Sequence, residues 1–138
     1  MKRKREIYLK WLKLSEDDLL IAEYAIQKRL FNIAAFHSHQ AAEKALKGLI
    51  ILLGDTPEKT HVLTELIEQL ESLGENIPLD VYRKCIELEP HYYTSRYPDL
   101  GPDPKKYYNE WLAEKLIENA KEVVEYVKKM GEREDKER

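Results

Sequence analysis

Between residues 34 and 52 the side chains of Ala34, Ala35, Ser38, Ala41, Ala42, Ala45, Leu49 and Leu52 fall on one side of a helix turned at about 100° per residue. A stripe this small offers little surface of its own, so it is buried only when another helix axis comes close. That requirement selects packed helices over any sheet. The opposite side carries His37, Gln40, Lys44 and Lys47, but also Phe36, Ile50 and Ile51. A water-facing side does not collect apolar groups at that density, which predicts that something covers this second face too.

The rest of the chain reads as further helices. Over residues 5–28, Ile7, Trp11, Leu12, Leu19, Ala22, Ala25 and Ile26 recur mainly at helical spacing. Ser15 and the acidic residues after it could cap a new helix there, but one continuous helix is the favoured reading. The second helix runs to residue 53, with Gly54 as its left-handed stop. Residues 61–73 form a shorter amphipathic helix ending at Gly74, and residues 79–88 a fourth, closed by Pro90. Residues 89–104 carry too many prolines for regular structure. The last helix starts after Asn109, a candidate N-cap, and presents Leu112, Leu116, Ala120, Val123, Val124 and Val127 to the core. Residues 1–4 and 131–138 are expected to fray. No strand alternation and no solenoid repeat are visible. The fold class is therefore all-α: residues 1–138 form a single domain, an up-and-down bundle of three long helices with short extra ones.

Composition narrows the function. The chain has 138 residues, enough for a real core without staples, and its one cysteine, Cys85, forms no internal disulfide. A reducing, cytoplasmic setting follows, and no apolar run approaches the length of a membrane span. Charged residues make up 36% of the chain, yet the formal net charge is −3, which argues against a generic nucleic-acid surface. Abundant Lys and Glu also give it the composition of a thermophile's ion-paired surface. There is no Gly-rich phosphate loop or dinucleotide fingerprint, and no cofactor is expected.

Three segments bring in a resemblance: residues 36–48 (FHSHQAAEKALKG), Thr60-His61-Val62-Leu63, and Ser95-Arg96-Tyr97-Pro98-Asp99. In order and spacing they resemble the signature segments of the HEPN family, small helical domains found alone or beside a minimal nucleotidyltransferase. The resemblance implies a helical bundle, a homodimer, and a non-catalytic, nucleotide-binding partner of such a nucleotidyltransferase in a two-component, toxin-antitoxin-like system. Many HEPN domains are ribonucleases marked by Arg, four to six residues, then His. This chain departs from that motif: Arg29 with His37 and Arg83 with His91 each enclose seven residues, and no histidine follows Arg96. A divergent metal-independent ribonuclease, with His91 and Arg96 as its acid-base group and cation, is the first alternative. A helical interaction module without nucleotide affinity is the second.

Two surfaces hold the candidate residues. His37, Gln40, Lys44 and Lys47, flanked by Phe36 and Ile51, form a strip read first as a homodimer interface; Lys44 and Lys47 could instead meet phosphate as point charges. Arg96, with Tyr93, Tyr97 and neighbouring rings, can stack a base and pair a phosphate. The competing structural reading is an Arg96–Asp99 salt link that pins the loop. No metal site is expected, because His37 and His39 point about 200° apart on their helix and His61 and His91 have no obvious acidic companion.

Overall fold

In the computed structural model, residues 2–136 are described, and their helices are α1 (Lys2–Gln27), α2 (Phe31–Leu52), α3 (Leu63–Ser72), α4 (Leu79–Leu88), α5 (His91–Thr94), α6 (Pro104–Tyr107) and α7 (Glu110–Lys136). No strand occurs among the described residues. The long helices α1, α2 and α7 pack on one another, and α3, α4 and α5 lie against α2. No described helix is long and apolar enough to cross a membrane.

Helix α2 is the centre because both of its sides find cover. Its alanine stripe is completely buried at Ala34, Ala35, Ala41, Ala42 and Ala45. The close approach is literal at Gly48, where an added Cβ would sit 2.9 Å from the Cβ of Trp11 on α1. The other side finds the cover that its apolar residues predict, most completely at Ile50. That residue is wholly buried, in the core with Leu46, Leu63, Leu66, Ile67, Leu70, Leu88 and Leu116, so the short helices cover much of the expected outer face. What stays open is a narrower strip with Ile33, Phe36, His37, Gln40, Lys44, Lys47 and Ile51.

Helix α1 passes through Ser15 without a break. Ser15 is buried and its hydroxyl donates to the Ala41 carbonyl at 2.7 Å, so it joins α1 to α2 instead of capping a new helix. Where fraying was expected, the backbone is helical: α1 already begins at Lys2 and α7 continues past Gly131 to Lys136. The ends are held by tertiary contacts. Gly131 packs directly on the Tyr8 hydroxyl, and Arg5 donates to the Gly131 carbonyl at 3.1 Å and faces Asp135 at 3.6 Å. Met1, Glu137 and Arg138 lie outside the described residues.

The segment expected to be irregular contains two helical turns. Pro90 cannot prolong α4, but its φ of −66° suits the start of α5, where its carbonyl accepts from Thr94 N. In α6 the Asp103 side chain caps Lys105 N ahead of Pro104. The other punctuation falls where the residues require it. Gly54 and Gly74 hold φ of 100° and 96°, and Asn109 Oδ1 accepts from Leu112 N to open α7. Arg29 takes the left-handed position between α1 and α2, at φ 59°.

Candidate functional site

Two buried carboxylates organise the open side of α2. Asp18 of α1 and Glu43 of α2 have side chains only 5% exposed, so each needs compensation from within the protein. His37 Nδ1 lies 2.8 Å from Asp18 Oδ1, and Lys44 Nζ lies 2.7 Å from Oδ2, outside good hydrogen-bonding alignment. Glu43 repeats the pattern: His61 Nδ1 lies 3.0 Å from its Oε1, and Lys47 Nζ donates to its Oε2 at 2.9 Å. In both pairs the imidazole spends Nδ1 on the carboxylate, and no described residue hydrogen-bonds to Nε2. The His37 and His61 side chains are 24% and 44% exposed, which leaves them open to a ligand.

Between these two histidines lies a layered set of rings supplied by α2 and α5. His61 stacks on Tyr92 at 3.9 Å, with planes 12° apart. The Arg96 guanidinium sits 4.5 Å from the centre of Tyr92, 4.3 Å from Phe36 and 5.1 Å from Tyr97. Because the imidazole covers one face of Tyr92, the guanidinium takes the other. Phe36 meets His37 edge-on at 5.2 Å and Tyr92 at 5.8 Å; Tyr93 contacts Tyr92 and Tyr97 at 4.8 and 5.5 Å.

Arg96 is exposed and forms no ion pair with Asp99 or any other described carboxylate; its only protein hydrogen bond among the described residues runs from Nε to the Tyr92 carbonyl at 3.1 Å. The Arg96–Asp99 link of the competing structural reading is therefore absent among the described residues, because the α5 turn aims the guanidinium back onto rings of α2 and α5. Asn32 supports this placement: it donates to the Ser95 carbonyl at 3.1 Å and accepts from Lys105 Nζ at 2.9 Å.

The other two histidines belong to the interior. His39 is wholly buried, its Nε2–H donates to the His61 carbonyl at 3.0 Å, and burial lowers its pKa. His91 is 6% exposed; burial, with a smaller push from His39, takes its pKa down to about 4. The neutral ring accepts from the Tyr108 hydroxyl at 2.6 Å, while burial raises that phenol's pKa. His91 and Arg96 share no hydrogen bond or ring contact, and an imidazole with a pKa near 4 is poorly matched to proton transfer at neutral pH.

The structure thus gathers His37, Phe36, Arg96, Tyr93 and Tyr97 on one surface, with Lys44 and Lys47 beside it. It corrects the reading of His61, whose acidic companion is Glu43. Asp18 was missed altogether, although a signal exists: it falls in phase with the apolar stripe of Ala22 and Ala25, where an unpaired aspartate could not remain. Among the described residues no cluster of three or more His, Cys, Asp or Glu side chains could hold a metal ion.

Comparison with known proteins adds relatives. Residues 8–130 match the HEPN domain. A protein of Methanocaldococcus jannaschii named "Putative toxin MJ1304" is 27% identical over 128 residues, covering 86% of this chain and 84% of its own. The crystal structure of TT1696 from Thermus thermophilus superposes with a TM-score of 0.83 at 27% identity, covering 94% of this chain and 98% of that one. ST0689, described as an archaeal HEPN homologue, gives 0.74 at 32% identity over 90% and 97%. An HEPN domain protein of Thermotoga maritima gives 0.72 over 88% and 96%, at 23% identity, a likeness of fold alone.

Proposed function

The chain belongs to the HEPN family, and from that premise we propose that it is the toxin-like member of a two-component pair with a minimal nucleotidyltransferase, meeting nucleotide or RNA phosphate at Arg96. The observation that carries this reading is the state of the Arg96 side chain: exposed, laid against three aromatic rings, and free of any described carboxylate. Its remaining N–H groups are available to a phosphate, and Tyr93 and Tyr97 stand beside it as stacking surfaces. Lys44 and Lys47 are less suited to that task, since Asp18 and Glu43 already hold them.

The same pairing supports a homodimer through the open strip of α2. Phe36, His37, Gln40 and Ile51 would meet a second copy there, and the strip's lysines could enter the interface already compensated. The name of the Methanocaldococcus jannaschii relative supports the toxin-like role, and the nucleotidyltransferase partner is what the resemblance to the family implies.

The test is a titration of fluorescein-labelled single-stranded RNA, ATP and GTP against the wild type and Arg96→Ala, followed by anisotropy. Binding that weakens at least about tenfold in the variant, roughly the loss of one charge-assisted contact, supports the reading. Equal affinity, or no binding to either protein, removes Arg96 from the proposal. Purification of the tagged chain from its own cells, with recovery of a stoichiometric nucleotidyltransferase, tests the partner.

A further inference from the structure

His37 and His61 are set into the surface in the same way. Each directs Nδ1 at a carboxylate only 5% exposed, Asp18 for His37 and Glu43 for His61, and each leaves Nε2 on the open side without a partner among the described residues. Each carboxylate also has a lysine against it, Lys44 at 2.7 Å and Lys47 at 2.9 Å. The lysine already balances the buried negative charge, so the imidazole is not required to be cationic and can take either form where it stands. In both forms Nδ1–H stays on the carboxylate. Only the outer nitrogen changes: the neutral ring turns a lone pair to the open side, and the protonated ring an N–H donor and a positive charge.

The two imidazoles flank the Arg96 cluster. His61 covers Tyr92 at 3.9 Å, and the Arg96 guanidinium lies 4.5 Å from the same ring. The guanidinium also lies 4.3 Å from Phe36, whose ring meets His37 edge-on at 5.2 Å. Basic group and aromatic ring therefore alternate from His61 through Tyr92, Arg96 and Phe36 to His37. We propose that His37 and His61 make anion capture at this site proton-linked: with both rings neutral a phosphodiester chain is held weakly through Arg96 alone, and with both protonated it is held tightly by all three. The inference rests on the binding role given to Arg96 above and concerns the regulation of that site. The groups facing His61 are Glu43, Lys47 and His39 of α2, Tyr92 of α5, and Arg96 after it. Those facing His37 are Asp18 of α1, and Lys44 and Phe36 of α2. Glu65 of α3 and Glu89 after α4 are turned to Thr60 and Thr64. His39 and His91 are buried with lowered pKa values, which leaves the outer pair as the histidines a ligand can reach. A ligand that prefers the protonated rings binds more tightly as the pH falls through the imidazole range, and by the same coupling it draws protons onto them when it binds.

The experiment titrates the full chain into an oligouridylate carrying a pH-insensitive fluorophore, at constant ionic strength and at pH 8, 7, 6.5 and 5.5, followed by anisotropy. Neither the phosphodiester nor the base changes charge over most of this range, so a change of affinity belongs to the protein. Wild-type affinity is expected to rise at least about tenfold from pH 8 to 5.5. His37→Gln and His61→Gln, which keep an N–H for the carboxylate, should each retain a rise of about threefold, and the double variant should stay within about twofold. Calorimetry of the wild type at pH 6.5 in two buffers of different ionisation enthalpy should show proton uptake on binding, a readout that requires no substitution. Binding that is independent of pH, with no proton uptake, overturns this inference and leaves the Arg96 reading standing. No binding at any pH overturns both, and a full rise retained by the folded double variant overturns the assignment to His37 and His61.

Discussion

Lowering the pH from 8 to 5 should cost this fold about 2 kcal/mol through His91 alone. The ring is buried as the neutral form, accepting the Tyr108 hydroxyl, and its pKa lies at about 4 against an ordinary value of 6.5. Above pH 6.5 the group is neutral in both states, and the full stabilisation is present. Between pH 6.5 and 4 the unfolded chain binds a proton that the folded chain refuses, so stability falls as the pH falls through that window. The linkage integral gives about 2 kcal/mol at pH 5 and about 3 kcal/mol at pH 4. His39 shifts in the same direction, so the comparison must be made between proteins that both contain it. Urea unfolding of wild type and His91→Gln at pH 5, 6, 7 and 8 isolates the effect, because glutamine still offers the Tyr108 hydroxyl an acceptor but does not titrate. The variant should lose about 2 kcal/mol less than wild type between pH 8 and 5. Parallel pH profiles for the two proteins would refute the account of His91 as a histidine buried neutral.

Three further outcomes follow from local geometry. Gly48→Ala should destabilise by about 1–3 kcal/mol in urea unfolding despite alanine's better helix propensity, because the new methyl would meet Trp11 Cβ at 2.9 Å; a stabilised variant would mean that α1 and α2 can part at no cost. Arg29→Gly should stabilise by up to about 1 kcal/mol, since φ of 59° strains any residue with a Cβ and the Glu110 partner is exposed; thermal melts would read it. The Cys85 thiol, wholly buried and pushed up to about 12 by burial, should react with a thiol reagent only at the rate of unfolding, so conditions that stabilise the fold should slow labelling in proportion.

The helices were legible because their periodicity is local. The small-residue stripe of α2, the glycine stops at 54 and 74, and the Asn109 cap each act within a few residues, and each holds in the structure. What escaped is what depends on distant chain. That Ile50 is covered followed from its apolar company, but what covers it, α3 and α4, cannot be read off a single helix. The terminal turns looked free because their anchor joins Tyr8 and Arg5 to residues beyond 126. Pro90 was read only as a stop, although a residue that cannot continue one helix is well suited to begin the next. Among the candidate residues, composition pointed to Arg96, Tyr93 and Tyr97, which lie together in the structure, whereas Glu43 was hidden from His61 by seventeen intervening residues.

That hidden pairing changes how the α2 surface can be used. Read as sequence, Lys44 and Lys47 are two positive charges on an outer strip, and reversing one of them looks like a direct probe of an interface. Read in the structure, each is half of an ion pair whose other half is buried and also holds a histidine. Lys47→Glu would place a second carboxylate against Glu43, forcing one of them to take up a proton or to leave, and His61 would lose its fixed aim with it. A loss of dimer or of activity in that variant would then report on the carboxylate as much as on the interface. Ile33 and Ile51 are free of this ambiguity, because both lie on the open strip and neither takes part in either ion pair. The same logic divides the surface by task. Charges compensated within the chain, at Lys44 and Lys47, can be covered by protein without being stranded. The charge left uncompensated, at Arg96, is the one with something to gain from an anion.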